Sequence, residues 1–128
     1  FLKANNIWRL FMDNIALKTM REMLVRAAKN GGSDEYGVVY YGDLMNAIGL
    51  DHELACDRGE LGGKLLELND IEVDAGRPIL GVLAVNKSSC AVSPGFFSYI
   101  DERGLRIAGE GNDALVVRLM NDVYSYSY

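Results

Sequence analysis

At 128 residues, of which 49% are hydrophobic and 24% charged, the chain has the length for one core burying roughly two-thirds of its unfolded surface, and too little for two. Its longest apolar runs, such as Pro78 to Val85, fall far short of the ~18 residues needed to cross a bilayer, and no basic-then-apolar leader opens it. The expectation is therefore a single domain over residues 1–128, cytoplasmic and with no membrane partner. A net charge of −5 counts against nucleic acid as a ligand, because phosphate binding draws on a basic patch.

The charge is unevenly spread. Residues 1–33 carry Lys3, Arg9, Lys18, Arg21, Arg26 and Lys29 against Asp13 and Glu22, a net +4. Residues 34–75 carry eleven acidic groups against Arg58 and Lys64, a net −9, and the remainder balances. The basic first third restores part of the case for a polyanion. Cys56 and Cys90 lack CxxC or CxxH spacing and read as reduced structural thiols.

Residues 5–29 read as helix with a stripe that changes face: Ile7, Trp8, Phe11 and Ile15 on one side, Ala16, Met20, Met23, Leu24 and Ala27 on nearly the opposite one. Such a helix either sits between two partners or breaks near Asp13 or Asn14, either of which could cap a second helix. Asn30 to Gly37 supplies a loop. "VVYY" is a short strand, and "GDLMNAIG" two helical turns with Leu44, Ala47 and Ile48 inward, ended by Gly49. Asp57 and Glu60 have capping-box spacing at the head of a helix reaching about Leu68, with Leu54, Leu61, Leu65 and Leu68 inward. Gly59, Gly62 and Gly63 interrupt that helix at up to ~1 kcal/mol each, a cost that calls for close approach by a neighbouring helix or by a sugar-phosphate backbone.

"GRPILGVLAV" reads as a wholly apolar buried strand, Asn86 to Gly95 as a polar loop, and "FFSYI" as a return strand or short helix. A last helix spans about Asp113 to Val123 with Val116, Leu119, Met120 and Val123 inward, and "YSYSY" follows as edge strand or frayed end. Helix, strand, helix, turn, helix and hairpin is the order of a winged helix-turn-helix. The fold expected is α+β, a winged helix-turn-helix-like domain with additional N- and C-terminal helices and the Asn86 to Gly95 loop as its wing.

Four segments, "VYYGDL" (Val39 to Leu44), "RGELGGKLLELN" (Arg58 to Asn69), "PILGVLAV" (Pro78 to Val85) and "PGFF" (Pro94 to Phe97), follow one another in a familiar order. From Val38 to Gly95 the chain resembles the C-terminal domain of the O6-alkylguanine-DNA alkyltransferases and alkyltransferase-like proteins. The resemblance implies a winged-helix scaffold whose glycine-bearing helix lies in a groove of DNA. It also implies that Tyr41 and Arg58 match positions that contact DNA near a flipped nucleotide. Where that family carries its reactive P-C-H-R, this chain has Val82, Leu83, Ala84 and Val85. Without a thiolate nucleophile or its activating histidine, alkyl transfer is excluded.

The candidate nucleic-acid-binding residues are Tyr41, to stack on a base or reach a phosphate; Arg58, Lys64 and Asn69 on the recognition helix; Lys87, Ser88 and Ser89 at the wing tip; and Arg21, Arg26 and Lys29 on the first helix. Each has an ordinary structural alternative: a tyrosine half-buried at a strand-to-helix corner, a Glu60–Lys64 pair at i, i+4, an exposed polar loop. His52 stands alone without ligand spacing, and Asp70, Glu72 and Asp74 alternate as on one face of a strand, without the oxygen-rich loop of a cation site. No metal, no cofactor and no catalytic constellation is expected. The function expected is non-catalytic nucleic-acid binding. The rival is a protein-interaction or oligomerisation module, conceivably a homodimer, whose acidic middle faces a basic partner.

Overall fold

A computed structural model describes residues 4–30 and 37–128, with side chains described for 13–30 and 37–128. The elements are α1 (Ala4–Asn30), β1 (Val39–Tyr40), α2 (Tyr41–Ala47), α3 (Ala55–Asp74), a 3₁₀ turn (Leu80–Leu83), β2 (Ala84–Val85), α4 (Pro94–Glu102) and α5 (Asn112–Ser125). The fold is α+β and mostly helical, its sheet being one parallel pair in which Val39 faces Ala84 and Tyr40 faces Val85. Among the described residues no helix is long and apolar enough to cross a membrane.

Burial follows the expected stripes in part: Ala47 and Leu54, expected inward, are exposed, Val116 and Met120 are half-buried, and Met45 and Leu115 are buried instead. On α1, Ala16, Met20, Leu24 and Ala27 are buried while Ile15 is exposed, so the core lies along the later stripe. The helix runs unbroken through Asp13 and Asn14, and neither residue caps a second one. The stripe residues Ile7, Trp8 and Phe11, and most of the loop from Asn30 to Gly37, lie outside the described side chains. Leu44 and Met45 of α2, Leu61 and Leu68 of α3, Ile100 of α4, and Leu115, Leu119 and Val123 of α5 complete one core around the strand pair. Gly49, at φ +79°, supplies the left-handed residue just beyond α2, as its place in the sequence suggested.

Three expectations are corrected. The apolar run Pro78 to Val85 is buried as expected but is not a strand through most of its length. The Gly81 N–H donates to the buried Asn69 Oδ1 at 2.9 Å, and a Cβ at Gly81 would lie 2.4 Å from that oxygen. The glycine lets the chain press onto α3, and the backbone tightens there into a 3₁₀ turn. Next, α3 continues to Asp74, which places Asp70, Glu72 and Asp74 on a helix, with Asp70 and Asp74 one turn apart on one side and Glu72 turned inward. Its N-cap is Leu54, without a side-chain cap, and Leu54 is exposed. Asp57 instead accepts the Asp51 N–H at 2.8 Å, tying down the α2–α3 turn, so no capping box forms with Glu60. Finally, "FFSYI" takes the helical one of its two expected forms within α4, so no return strand makes a hairpin of the Asn86 to Gly95 loop, and the tyrosine tail is neither strand nor frayed end. Its first two residues finish α5, the Tyr124 hydroxyl donates to the Gly37 carbonyl at 3.0 Å, and Tyr128 packs back against the core.

Candidate nucleic-acid interface

The turn between α2 and α3 and the loop after β2 meet over an open cleft of about 560 Å³. Four residues singled out from the sequence line it: Tyr41, Arg58, Lys87 and Ser88. They come from three separate segments, and the parallel strand pair explains the meeting. Its register sets Tyr40, the residue before α2, beside Val85, the residue before the loop.

Each of these side chains is positioned by a specific contact. Tyr41 opens α2 at the end of β1, and its hydroxyl accepts the Ser93 N–H at 2.8 Å, tying α2 to the head of α4. Arg58 sits in the second turn of α3, where its Nη1 donates to the His52 carbonyl at 2.8 Å. That bond uses one of its five donors. Lys87 holds its Nζ 5.9 Å from the centre of the Tyr40 ring, a cation–π distance. Among the described residues no carboxylate pairs with Arg58 or Lys87. The remainder of the lining is a wall of Tyr40, Met45, Leu61 and Leu65, with His52, Asn46 and one carboxylate, Asp43, among the polar groups.

The loop is folded by its own first residue. Asn86 Oδ1 accepts the N–H groups of Ser88 at 2.8 Å and Ser89 at 3.4 Å, while the Asn86 N–H donates to the Ala91 carbonyl and its carbonyl accepts the Cys90 N–H. Such an Asx turn sets the loop's shape from local polar chemistry. Ser89 is exposed at the tip, and Cys90 takes a left-handed φ of +53°. Both cysteines are free and exposed.

The other sequence candidates lie elsewhere. Lys64 is turned inward, only 8% exposed, with its Nζ 2.8 Å from Asp13 Oδ1 and 4.0 Å from Glu60, so its charge joins α1 to α3. Asn69, 1% exposed, is committed to Gly81. The amphipathic register of α3 carries both toward the interior, although Asn69 also lines a small hollow beside the cleft. Arg26 is exposed on α1, and Lys29 donates to the Tyr128 carbonyl at 3.4 Å.

Arg21 belongs to a buried ionic node. It and Arg77 both donate to Glu72, whose side chain is fully buried. Burial alone would raise the Glu72 pKa, yet the hydrogen bonds from the two guanidinium groups outweigh it and hold the carboxyl below its ordinary value. Tyr128 covers the node with Arg21 beneath its ring, and burial first, with the Glu72 charge second, pushes its phenol up to about 12. Among the described residues, its hydroxyl is buried without a hydrogen-bond partner. On the other side of α3, Tyr99 and Arg103 bind Asp70, and Arg103 reaches Asp74, clamping α4 in place. Burial, then the Asp70 contact, raises the Tyr99 phenol. These carboxylates hold the fold together; no cluster able to hold a metal occurs among the described residues.

The interior glycines of α3 also separate. Among the described residues, a Cβ at Gly59, Gly62 or Gly63 would have nothing within 4 Å, so no described neighbour accounts for them. Gly62 lines the cleft; nothing in the structure explains Gly59 and Gly63. Sequence reasoning missed Asn46, Ser93, Leu61 and Leu65 as cleft residues, since no motif marks them and only the α2–α3 turn gathers them. No family model, curated protein or solved structure matches the chain, so the cleft is interpreted from its own residues.

Proposed function

We propose that this chain is a non-catalytic nucleic-acid-binding protein, with α2 and α3 as a helix-turn-helix, the Asn86–Ala91 loop as its wing, and the cleft between them as the contact surface. One observation carries the reading: Arg58 and Lys87, on different elements, converge on a cleft walled by two tyrosines, with no carboxylate partner among the described residues. Cations beside flat aromatic rings suit a polymer that alternates phosphates with bases. The open flank at Gly62 leaves room for a backbone to approach α3.

Fluorescence anisotropy with labelled single-stranded and duplex oligonucleotides at low salt tests this. Binding at micromolar protein, weakened by Arg58→Ala and by Lys87→Ala, is the expected result; no binding to either probe overturns it. The net charge of −5 favours one other reading, an interaction module with an acidic face. That reading predicts a salt-sensitive dimer by light scattering and no oligonucleotide binding.

A further inference from the structure

The cleft does not end at Gly62. A smaller hollow of about 110 Å³ opens beyond it, and the two share Tyr41, Gly62, Leu65 and Ser93 along their common edge. Together they make a trough that crosses α3 at a position without a side chain. Its two ends differ in chemistry. Arg58 and Lys87 stand at the first, beside the carboxylate Asp43, whereas no charged residue lines the second, which is bounded by Leu65, Leu66, Gly81, Gly95 and Phe96 with Asn69 at its floor.

From this asymmetry, and resting on the function proposed above, we infer that the ligand is an unpaired strand, not a duplex. A duplex carries phosphates along both borders of any groove and keeps its base faces stacked inside. Seated here, it would set one phosphate row against an uncharged, largely apolar hollow, where a desolvated anion meets no cationic side chain. An unpaired strand can turn its charge and its bases to different sides. Its phosphates meet Arg58 and Lys87, and a base face lies on the apolar end, where stacking and burial are indifferent to sequence. Two cations at one end also set the salt response. Neutralising about two phosphates of a single strand gives a log–log slope near −1.4, about a sevenfold loss of affinity between about 50 and about 200 mM salt.

The test uses labelled oligothymidine and a mixed-sequence duplex of equal length, with the wild-type protein and two leucine variants. Gly62→Leu fills the shared edge of the trough, while Gly63→Leu makes the same change one residue along α3, outside the trough and, among the described residues, equally free of neighbours. Both variants keep or raise the melting temperature, since leucine is the better helix former. The expected result is oligothymidine bound about tenfold tighter than duplex, the worth of one stacked base, with Gly62→Leu removing that advantage and Gly63→Leu changing affinity less than about twofold. Duplex bound as tightly as the single strand, or equal effects of the two leucines, overturns the inference and leaves nucleic-acid binding standing. No binding of either probe removes both.

Discussion

Two places in this molecule gather positive charge, and they use it in opposite ways. At the node beneath Tyr128, Arg21 and Arg77 are both bound to the fully buried Glu72, and their charge is spent joining α1 to the end of α3. At the cleft, among the described residues, Arg58 meets a backbone carbonyl and Lys87 an aromatic ring, and neither meets a carboxylate. A cation satisfied by a buried carboxylate has little left to give a ligand, whereas one resting on a carbonyl or a ring retains most of its hydrogen-bonding capacity. The same contrast runs along α3 itself, where Lys64 is paired with Asp13 and Arg58, less than two turns earlier, faces outward. A count of basic residues per segment therefore says little about where a polyanion would sit.

Breaking the node gives the largest expected effect. Glu72→Ala leaves two guanidinium groups without their carboxylate. Removing one member of a buried pair costs about 3–5 kcal/mol, and the lower end applies here because Arg21 and Arg77 remain about one-third exposed and can rehydrate. Urea denaturation should show this loss, while oligonucleotide affinity, measured where the variant is still folded, stays unchanged. The same residue sets an acid dependence. Its folded pKa lies below the unfolded value of about 4.3, so its contribution is fully present above that pH and disappears as pH falls through the lower folded value. Urea midpoints followed from neutral pH down to about pH 3 should fall more steeply for the wild type than for Glu72→Gln, which has no charge to titrate.

A smaller effect is expected where a polar side chain serves the fold alone. Asn69→Ala strands the buried Gly81 N–H, at a cost of about 1–3 kcal/mol, and thermal melting would show it. Smaller again is Lys64→Ala. Its Asp13 partner is 41% exposed, so the pair contributes no more than about 1 kcal/mol, and affinity for an oligonucleotide should remain within about twofold of wild type. A marked loss of binding in Lys64→Ala would erase the distinction between structural and available polar groups.

Much of the scaffold was legible in the sequence because it rests on local rules. Periodicity placed the buried stripes of α1, α3 and α5, and Gly49 marked the end of α2. What could not be read depends on partners far along the chain. The apolar run at Pro78 to Val85 satisfied every requirement of a strand, and only the carboxamide of Asn69, twelve residues earlier, turns it into a 3₁₀ segment. Glu72 looked like one of three solvated carboxylates, since nothing nearby in sequence reveals that Arg21 closes on it from α1. For the cleft, Tyr41, Arg58, Lys87 and Ser88 were each visible as isolated polar or aromatic residues in exposed segments. Their convergence was not, because it depends on the parallel register of Tyr40 with Val85. Lys64 and Asn69 seemed equivalent to Arg58 until the register of α3 showed which side each occupies.

The account turns on whether the two cations of the cleft, Arg58 and Lys87, act as the ligand contact. Anisotropy titration of a labelled oligonucleotide against wild type and the Arg58→Ala/Lys87→Ala double variant, at low salt and with melting temperatures recorded alongside, asks this directly. The expected result is an unchanged melting temperature and a loss of affinity of about tenfold or more, as two phosphate contacts are removed. A double variant that melts like the wild type and binds just as tightly would contradict it.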